Sequence, residues 1–122
     1  MNMNDKQELG RRGEEIAAAF YKENHFIVLE KNWQANHLEV DIIAKNNEYI
    51  VFCEVKTRSS ELFGSPQTSV TIQKQRNIIR AANYYVLKNR ITLEVRFDII
   101  TIIFNGNQYS LEHIPFAFTP KW

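Results

Sequence analysis

The sequence predicts an α/β domain, a central mixed five-stranded sheet with helices on both faces. Two stretches carry apolar residues at helical spacing, one near the N-terminus and one between about Thr71 and Lys88. Five others are rich in β-branched and aromatic residues and are bounded by turn formers. Their order is helix, three strands, helix, two strands, which lets a helix cover each face of one sheet.

Length and composition bound this reading. The 122 residues suffice for one core and one domain, 1–122, but not for two. A hydrophobic content of 44% with four Gly and three Pro fits a folded globular chain. The formal charge of +1 neither demands nor excludes nucleic acid, because the local distribution of charge decides that. The lone Cys53 excludes a disulfide framework within the chain and fits a reducing compartment. No apolar signal core opens the chain and no run reaches membrane-spanning length, so the expectation is a cytoplasmic protein with no membrane partner.

Taken in order, the first helix runs from about Asp5 to Asn24, with Leu9, Gly13, Ile16, Ala17 and Phe20 as its buried stripe. Gly10 and Gly13 each cost such a helix about 1 kcal/mol relative to alanine, which suits a close approach to a sheet or ligand. Glu14 lies on the edge of that stripe and, read alone, is a solvated glutamate. Arg11 and Arg12 beside it are a surface pair able to meet phosphate. Phe26 to Glu30 reads as the first strand, with Ile27, Leu29 and Trp33 on one side. His25 reads as a turn residue, and Gln34 to His37 as the turn into the second strand, with His37 a loop histidine.

The second and third strands hold the chemistry. On Leu38 to Ile43, alternation sends Glu39 and Asp41 one way and Leu38, Val40 and Ile42 the other. Lys45 to Glu48 supplies turn formers, and Ile50 to Arg58 follows as a strand. There Glu54 and Lys56 share a face, with Val51, Cys53 and Val55 opposite. Paired as a hairpin, these strands bring three acids and a lysine onto one patch. Such groups are costly to desolvate unless they pair or hold an ion. One outcome is a salt bridge from Lys56 to Asp41 or Glu54. The other is a divalent cation, and oxygen ligands without Cys or His favour magnesium or manganese over zinc. The residues alone leave both open.

A loop, Ser59 to Pro66, ends the third strand at a position suited to substrate contact. The second helix has Ile72, Ile78, Ile79, Ala82 and Tyr85 or Val86 as its stripe. Lys74 sits in its first turn, near the rim that holds Arg58, to meet a phosphate or a carboxylate of the acidic patch. Arg80 reads as solvated. Leu93 to Phe104 is a long strand whose second half is apolar on both faces, hence covered on both. Within it Arg96 and Asp98 share a face as a structural pair. Asn105-Gly106 signals a hairpin to Gln108 to Ile114. The aromatic tail, Pro115 to Trp122, packs on the core or offers a self-association surface.

Asp41, a short hairpin and Glu54-Val55-Lys56 resemble the signature of the PD-(D/E)XK nucleases, with Val40 standing where that name has proline. Nearly the whole chain resembles the YraN family of uncharacterised bacterial proteins, which are similar to archaeal Holliday-junction resolvases. The resemblance rests on Gly10-Arg11-Arg12-Gly13-Glu14 with Ala17, Glu39-Val40-Asp41-Ile42-Ile43, and Phe52-Cys53-Glu54-Val55-Lys56-Thr57-Arg58. It extends to Phe63-Gly64-Ser65-Pro66, Val70 with Lys74, and Arg96-Phe97-Asp98. Leu38 departs from it, standing where the family usually has glycine.

The resemblance implies a restriction-endonuclease-like core and metal-dependent hydrolysis of phosphodiesters. By it, Asp41, Glu54 and the Val55 carbonyl would ligate Mg²⁺ or Mn²⁺, and Glu14 would join that shell directly or through water. Lys56 would orient or activate the attacking water, with Glu39 and Lys74 in support. Arg11, Arg12, Arg58 and Lys74 would hold phosphates of a nucleic acid, DNA ahead of RNA, recognised by shape. A homodimer would double those few cationic contacts. Two other readings stand beside it: a nucleic-acid-binding module of the same fold that does not cut, and a protein-interaction domain using the aromatic tail.

Overall fold

The structure, a computed structural model, describes residues 3–59 and 70–120. Its elements are α1 (Met3–Glu23), β1 (Ile27–Ala35), β2 (Leu38–Lys45), β3 (Tyr49–Ser59), α2 (Ile72–Lys88), β4 (Glu94–Asn105) and β5 (Gln108–Phe118). Most of the loop expected after β3, including Phe63 to Pro66, lies outside the described residues, as does Trp122. The strands lie side by side in chain order. Only β3 and β4 run parallel, and α2 makes the crossover that a parallel pair requires. The expected mixed five-stranded sheet is therefore present. Neither helix is long and apolar enough to cross a membrane.

Local chemistry accounts for the turns. Asn36 and His37 both take positive φ, 52° and 67°, so two residues reverse the chain. Gln34 and Ala35, expected in that turn, instead pair with Glu39 and Leu38. Between β2 and β3 the Asn46 side chain accepts the amides of Glu48 and Tyr49 at 2.9 and 2.8 Å. Gly106, at φ 62°, reverses the chain between the paired Asn105 and Gln108.

Each face of the sheet carries one apolar layer. Ala17, Ala18 and Tyr21 of α1 pack with Ile42, Val51, Cys53, Ile100 and Ile102. Ile78, Ala81, Ala82 and Tyr85 of α2 pack with Val40, Ile43, Ile50, Phe52 and Phe97. Three apolar expectations need correction. Ile72 is 63% exposed, because the α2 residues that meet the sheet occupy the opposite side of the helix. Ile27 is exposed as well, cut off from Leu29 by a register shift between Val28 and Glu30. The β5 strand continues past Ile114 to Phe118, absorbing Pro115 and Phe116 through a bulge opposite Phe97 and Ile99. Phe118 then stacks on Phe97 with ring centroids 5.0 Å apart, so that part of the tail joins the core.

The pairing expected of Arg96 and Asp98 grows into a network under α1. Asp98 is fully buried and accepts from Arg96 Nε at 2.9 Å and Nη2 at 2.8 Å. Tyr21 Oη donates to it at 2.7 Å, and His113 Nε2 lies 2.8 Å away. The Arg96 guanidinium in turn lies against the rings of Phe26, Tyr49 and Phe116 at 5.3, 5.2 and 5.1 Å.

The two α1 glycines differ in kind. A Cβ on Gly13 would overlap the Thr57 side chain of β3, whereas one on Gly10 would meet nothing within 4 Å. Gly13 is thus the point of close approach, and Gly10 is not. Gly10→Ala should raise stability by about 0.5–1 kcal/mol. Gly13→Ala should lower it by roughly 1–3 kcal/mol through overpacking. Urea denaturation of the pair checks this, and equal effects would refute it.

Candidate active site

The site forms where β2 leaves β3. Their ladder runs from Lys45↔Ile50 to Ile42↔Cys53 and stops there. The next residue back, Asp41, turns its carboxylate onto the freed Val55 amide, which donates to Oδ2 at 2.8 Å. The strand changes phase at this point. Val40 joins the α2-side core, while Ile42 joins the α1-side core. Strict alternation, which put Leu38, Val40 and Ile42 on one face, therefore fails at Asp41. The side chain stands at the edge between strands, where it replaces a ladder hydrogen bond.

Glu54 and Lys56 follow Ile50 and Phe52 on the α2 side of β3, and Cys53 is buried against α1, as alternation requires. Glu54 is only 14% exposed, with Lys74 Nζ of α2 3.8 Å from its Oε1. That places Lys74 against a carboxylate of the acidic patch. Thr71 caps the helix through its Oγ1, which accepts the Lys74 amide at 3.1 Å and fixes the turn that carries this lysine. Lys74 Nζ also lies 3.9 Å from Glu39 Oε1, and Glu39, 55% exposed, stands at the rim.

The charges respond to one another. Burial, then the charge of Glu54 and that of Glu14, push the Asp41 carboxyl up to about 7, against the opposing Val55 amide and Lys74. Burial also raises Glu54, with Lys74 and Lys56 opposing and Glu39 and Glu14 adding. Burial, followed by the neighbouring Arg58 cation, lowers Lys56, against the pull of Glu54. Glu14, on the helix that Gly13 brings against β3, is therefore close enough to act on both acids. Asp41, Glu54, Lys56, Glu14, Glu39, Lys74 and Arg58 form one electrostatic neighbourhood.

Two expected phosphate holders are engaged elsewhere. Arg11 pairs along its own helix with Glu8 at 2.6 Å and Glu15 at 3.1 Å. Arg12 lies over the Phe104 ring at 4.6 Å. Arg58 donates to the Thr57 carbonyl at 2.9 Å. His37 and His25 are exposed turn residues at positive φ, as expected.

One neighbour was not legible in the sequence. Thr101 of β4 stands beside Lys56 in register, is 1% exposed, and its Oγ1 has no hydrogen-bond partner among the described residues. Only the β3–β4 pairing brings them together. Thr101→Val should leave stability unchanged or raise it by about 1 kcal/mol, since no bond is lost and an orphaned hydroxyl is removed. Thermal unfolding checks this, and a loss of comparable size would show that the hydroxyl has a partner.

The donors suit a hard divalent cation. Among the described residues no three His, Cys, Asp or Glu side chains form a ready ligand cage. Asp41 and Glu54, each pushed up by burial and by neighbouring acids, are the two carboxylates that could hold an ion such as Mg²⁺, which keeps several waters and takes one or two carboxylates.

The family described as "Uncharacterised protein family UPF0102" matches residues 13–102, from the tight helix contact through the acids to β4. The chain belongs to the UPF0102 family. A UPF0102 protein of Bacteroides thetaiotaomicron is 39% identical over 118 residues, covering 97% of this chain and 98% of its own. Another, from Geobacter metallireducens, is 41% identical and covers 97% of both chains. A third, from Christiangramia forsetii, is 41% identical over 95% of this chain and 98% of its own. The YraN-like family expected from the motifs is thus the one found. The UPF0102 match spans Glu14, Glu39, Asp41, Glu54, Lys56, Arg58 and Lys74 alike.

Proposed function

We propose that this UPF0102 protein is a metal-dependent nuclease that hydrolyses phosphodiester bonds on a restriction-endonuclease-like core. Structured DNA is the substrate we favour. The observation that carries the reading is the break in the β2–β3 ladder. It turns Asp41 toward Glu54 of the neighbouring strand, near Lys56 and Lys74, where burial and the charge of Glu54 oppose its ionisation.

In this reading Asp41 and Glu54 hold Mg²⁺ or Mn²⁺, with the Val55 carbonyl and Glu14 completing the shell. Bound there, the ion would polarise a phosphoryl oxygen and lower the pKa of water. The bond from the Val55 amide holds the Asp41 carboxylate in one orientation, so little reorganisation accompanies binding. Lys56, its pKa lowered by burial and by Arg58, holds the attacking water and offsets charge developing on the phosphorane oxygens. Lys74 and Arg58 take flanking phosphates, which confers affinity without base reading, so shape decides the substrate. Glu39 at the rim tunes Lys74.

Glu54→Gln should reduce Mg²⁺- or Mn²⁺-dependent cleavage by about three orders of magnitude or more, since it removes a ligand and a charge that the reaction needs. Branched, nicked, single-stranded and duplex substrates form the assay. Wild-type protein that binds these and cuts none would move the assignment to a non-catalytic binder.

A further inference from the structure

The charge on α2 is of one sign. The helix carries Lys74, Arg76, Arg80 and Lys88 and not one acid, in a chain whose 15 basic and 14 acidic residues otherwise nearly balance. Lys74 is drawn to Glu54 and Glu39, and Lys88 lies 5.8 Å from the Tyr84 ring. Arg76 and Arg80 make no ion pair or hydrogen bond among the described residues. They stand one helical turn apart, about 6 Å along the axis. Between them and Thr119, just past β5, runs a groove of about 420 Å³, lined also by Ile72, Gln75 and Ile79. Ile72, at 63% exposure, opens directly onto it. Lys74 and Arg76 are two residues apart and so point to nearly opposite sides of the helix. The groove is therefore a separate surface from the acidic site.

We propose that this groove binds an acidic segment of a partner protein, with an apolar side chain seated against Ile72 and Ile79 and carboxylates on Arg76 and Arg80. The combination selects the occupant. Two guanidinium groups unpaired among the described residues call for paired anions, and arginine suits carboxylates through two-pronged hydrogen bonds. A phosphate backbone would satisfy the arginines but leave the isoleucines facing sugar and water. An acidic peptide with an apolar anchor satisfies both, through a central apolar contact inside a charged rim. The segment would bring the partner to the enzyme without covering Asp41 or Glu54, so the inference stands whether or not the chain cuts nucleic acid.

The test is fluorescence anisotropy with short labelled aspartate-rich peptides, each bearing one phenylalanine, leucine or tryptophan, alongside lysine-rich and neutral counterparts. At least one acidic peptide should bind the full chain, with affinity falling as salt rises. The double variant R76Q/R80Q should weaken it about tenfold or more, and Ile72→Ser several-fold. Both positions are exposed, so circular dichroism should show an unchanged fold. Manganese binding by R76Q/R80Q should match wild type, which separates this result from any failure at the acidic site. Absence of binding by every acidic peptide, or equal binding by R76Q/R80Q, overturns the proposal. Duplex DNA losing affinity in R76Q/R80Q while the peptides do not would also overturn it and assign the groove to nucleic acid.

Discussion

Asp98→Asn should cost about 3–5 kcal/mol, a large part of the 5–15 kcal/mol that holds a domain of this kind together. The carboxylate is fully buried and takes hydrogen bonds from Arg96, Tyr21 and the Phe116 amide, with His113 at 2.8 Å. Burial alone would raise its pKa, but the bonds from His113, Arg96 and Tyr21 prevail and hold it below the usual carboxylate range. Removing the charge strands a guanidinium that is itself only 10% exposed. Tyr21→Phe keeps the charge, removes one donor to it, and should cost less, about 1.5–3 kcal/mol. Urea midpoints measure both, and an Asp98→Asn loss no larger than that of Tyr21→Phe would show that the charge is not what holds this corner.

The second large effect depends on pH. The Asp41 pKa rises from 3.8 to about 7 on folding, so between these values the folded state binds the extra proton. Stability then falls as pH rises through that window, by up to about 4 kcal/mol, and the penalty is complete above pH 7. Glu54 is raised too and acts in the same direction. Asp98, lowered, acts in the opposite sense. Its contribution is present above its unfolded value and is lost as pH falls through its folded one. Together, Asp41 and Glu54 favour the metal-free protein in mildly acidic over neutral solution, and Asp98 opposes stronger acid. Asp41→Asn should remove most of the neutral-pH penalty, raising stability at pH 7 by about 1–3 kcal/mol. Under the proposed function, Mn²⁺ at a hundred times its Kd should stabilise wild type by about 2.7 kcal/mol at neutral pH and leave Asp41→Asn unmoved. Thermal unfolding from pH 4 to 8, with and without Mn²⁺, reads all of this. A flat profile for metal-free wild type would remove the electrostatic case for the site.

A site whose metal-free form resists full ionisation has stability to gain from a cation, which is the common trade between function and stability. Gly13 is a different case, a glycine that packing itself requires where α1 comes against Thr57 and carries Glu14 toward the acids.

Much of this was legible in the residues because it is local. Helical spacing marked α1 and α2, β-branched runs marked the strands, and Asn105-Gly106 marked the last hairpin within a residue or two. The alternation of β3 set Cys53 against Glu54 and Lys56. The family followed from motifs spread along the chain, and the match over residues 13–102 agrees. What pairing decides was not legible. Nothing near Asp41 in sequence announces that its ladder ends there and that its carboxylate will take an amide fourteen residues on. Thr101 meets Lys56, and Tyr21 meets Asp98, only because distant segments are set side by side. The sequence by itself determined the elements and the two faces of β3, since side-chain periodicity and turn chemistry act between near neighbours. Tertiary structure alone decided which charges share a field and which side chains meet across strands, because those depend on distances that the chain order does not contain.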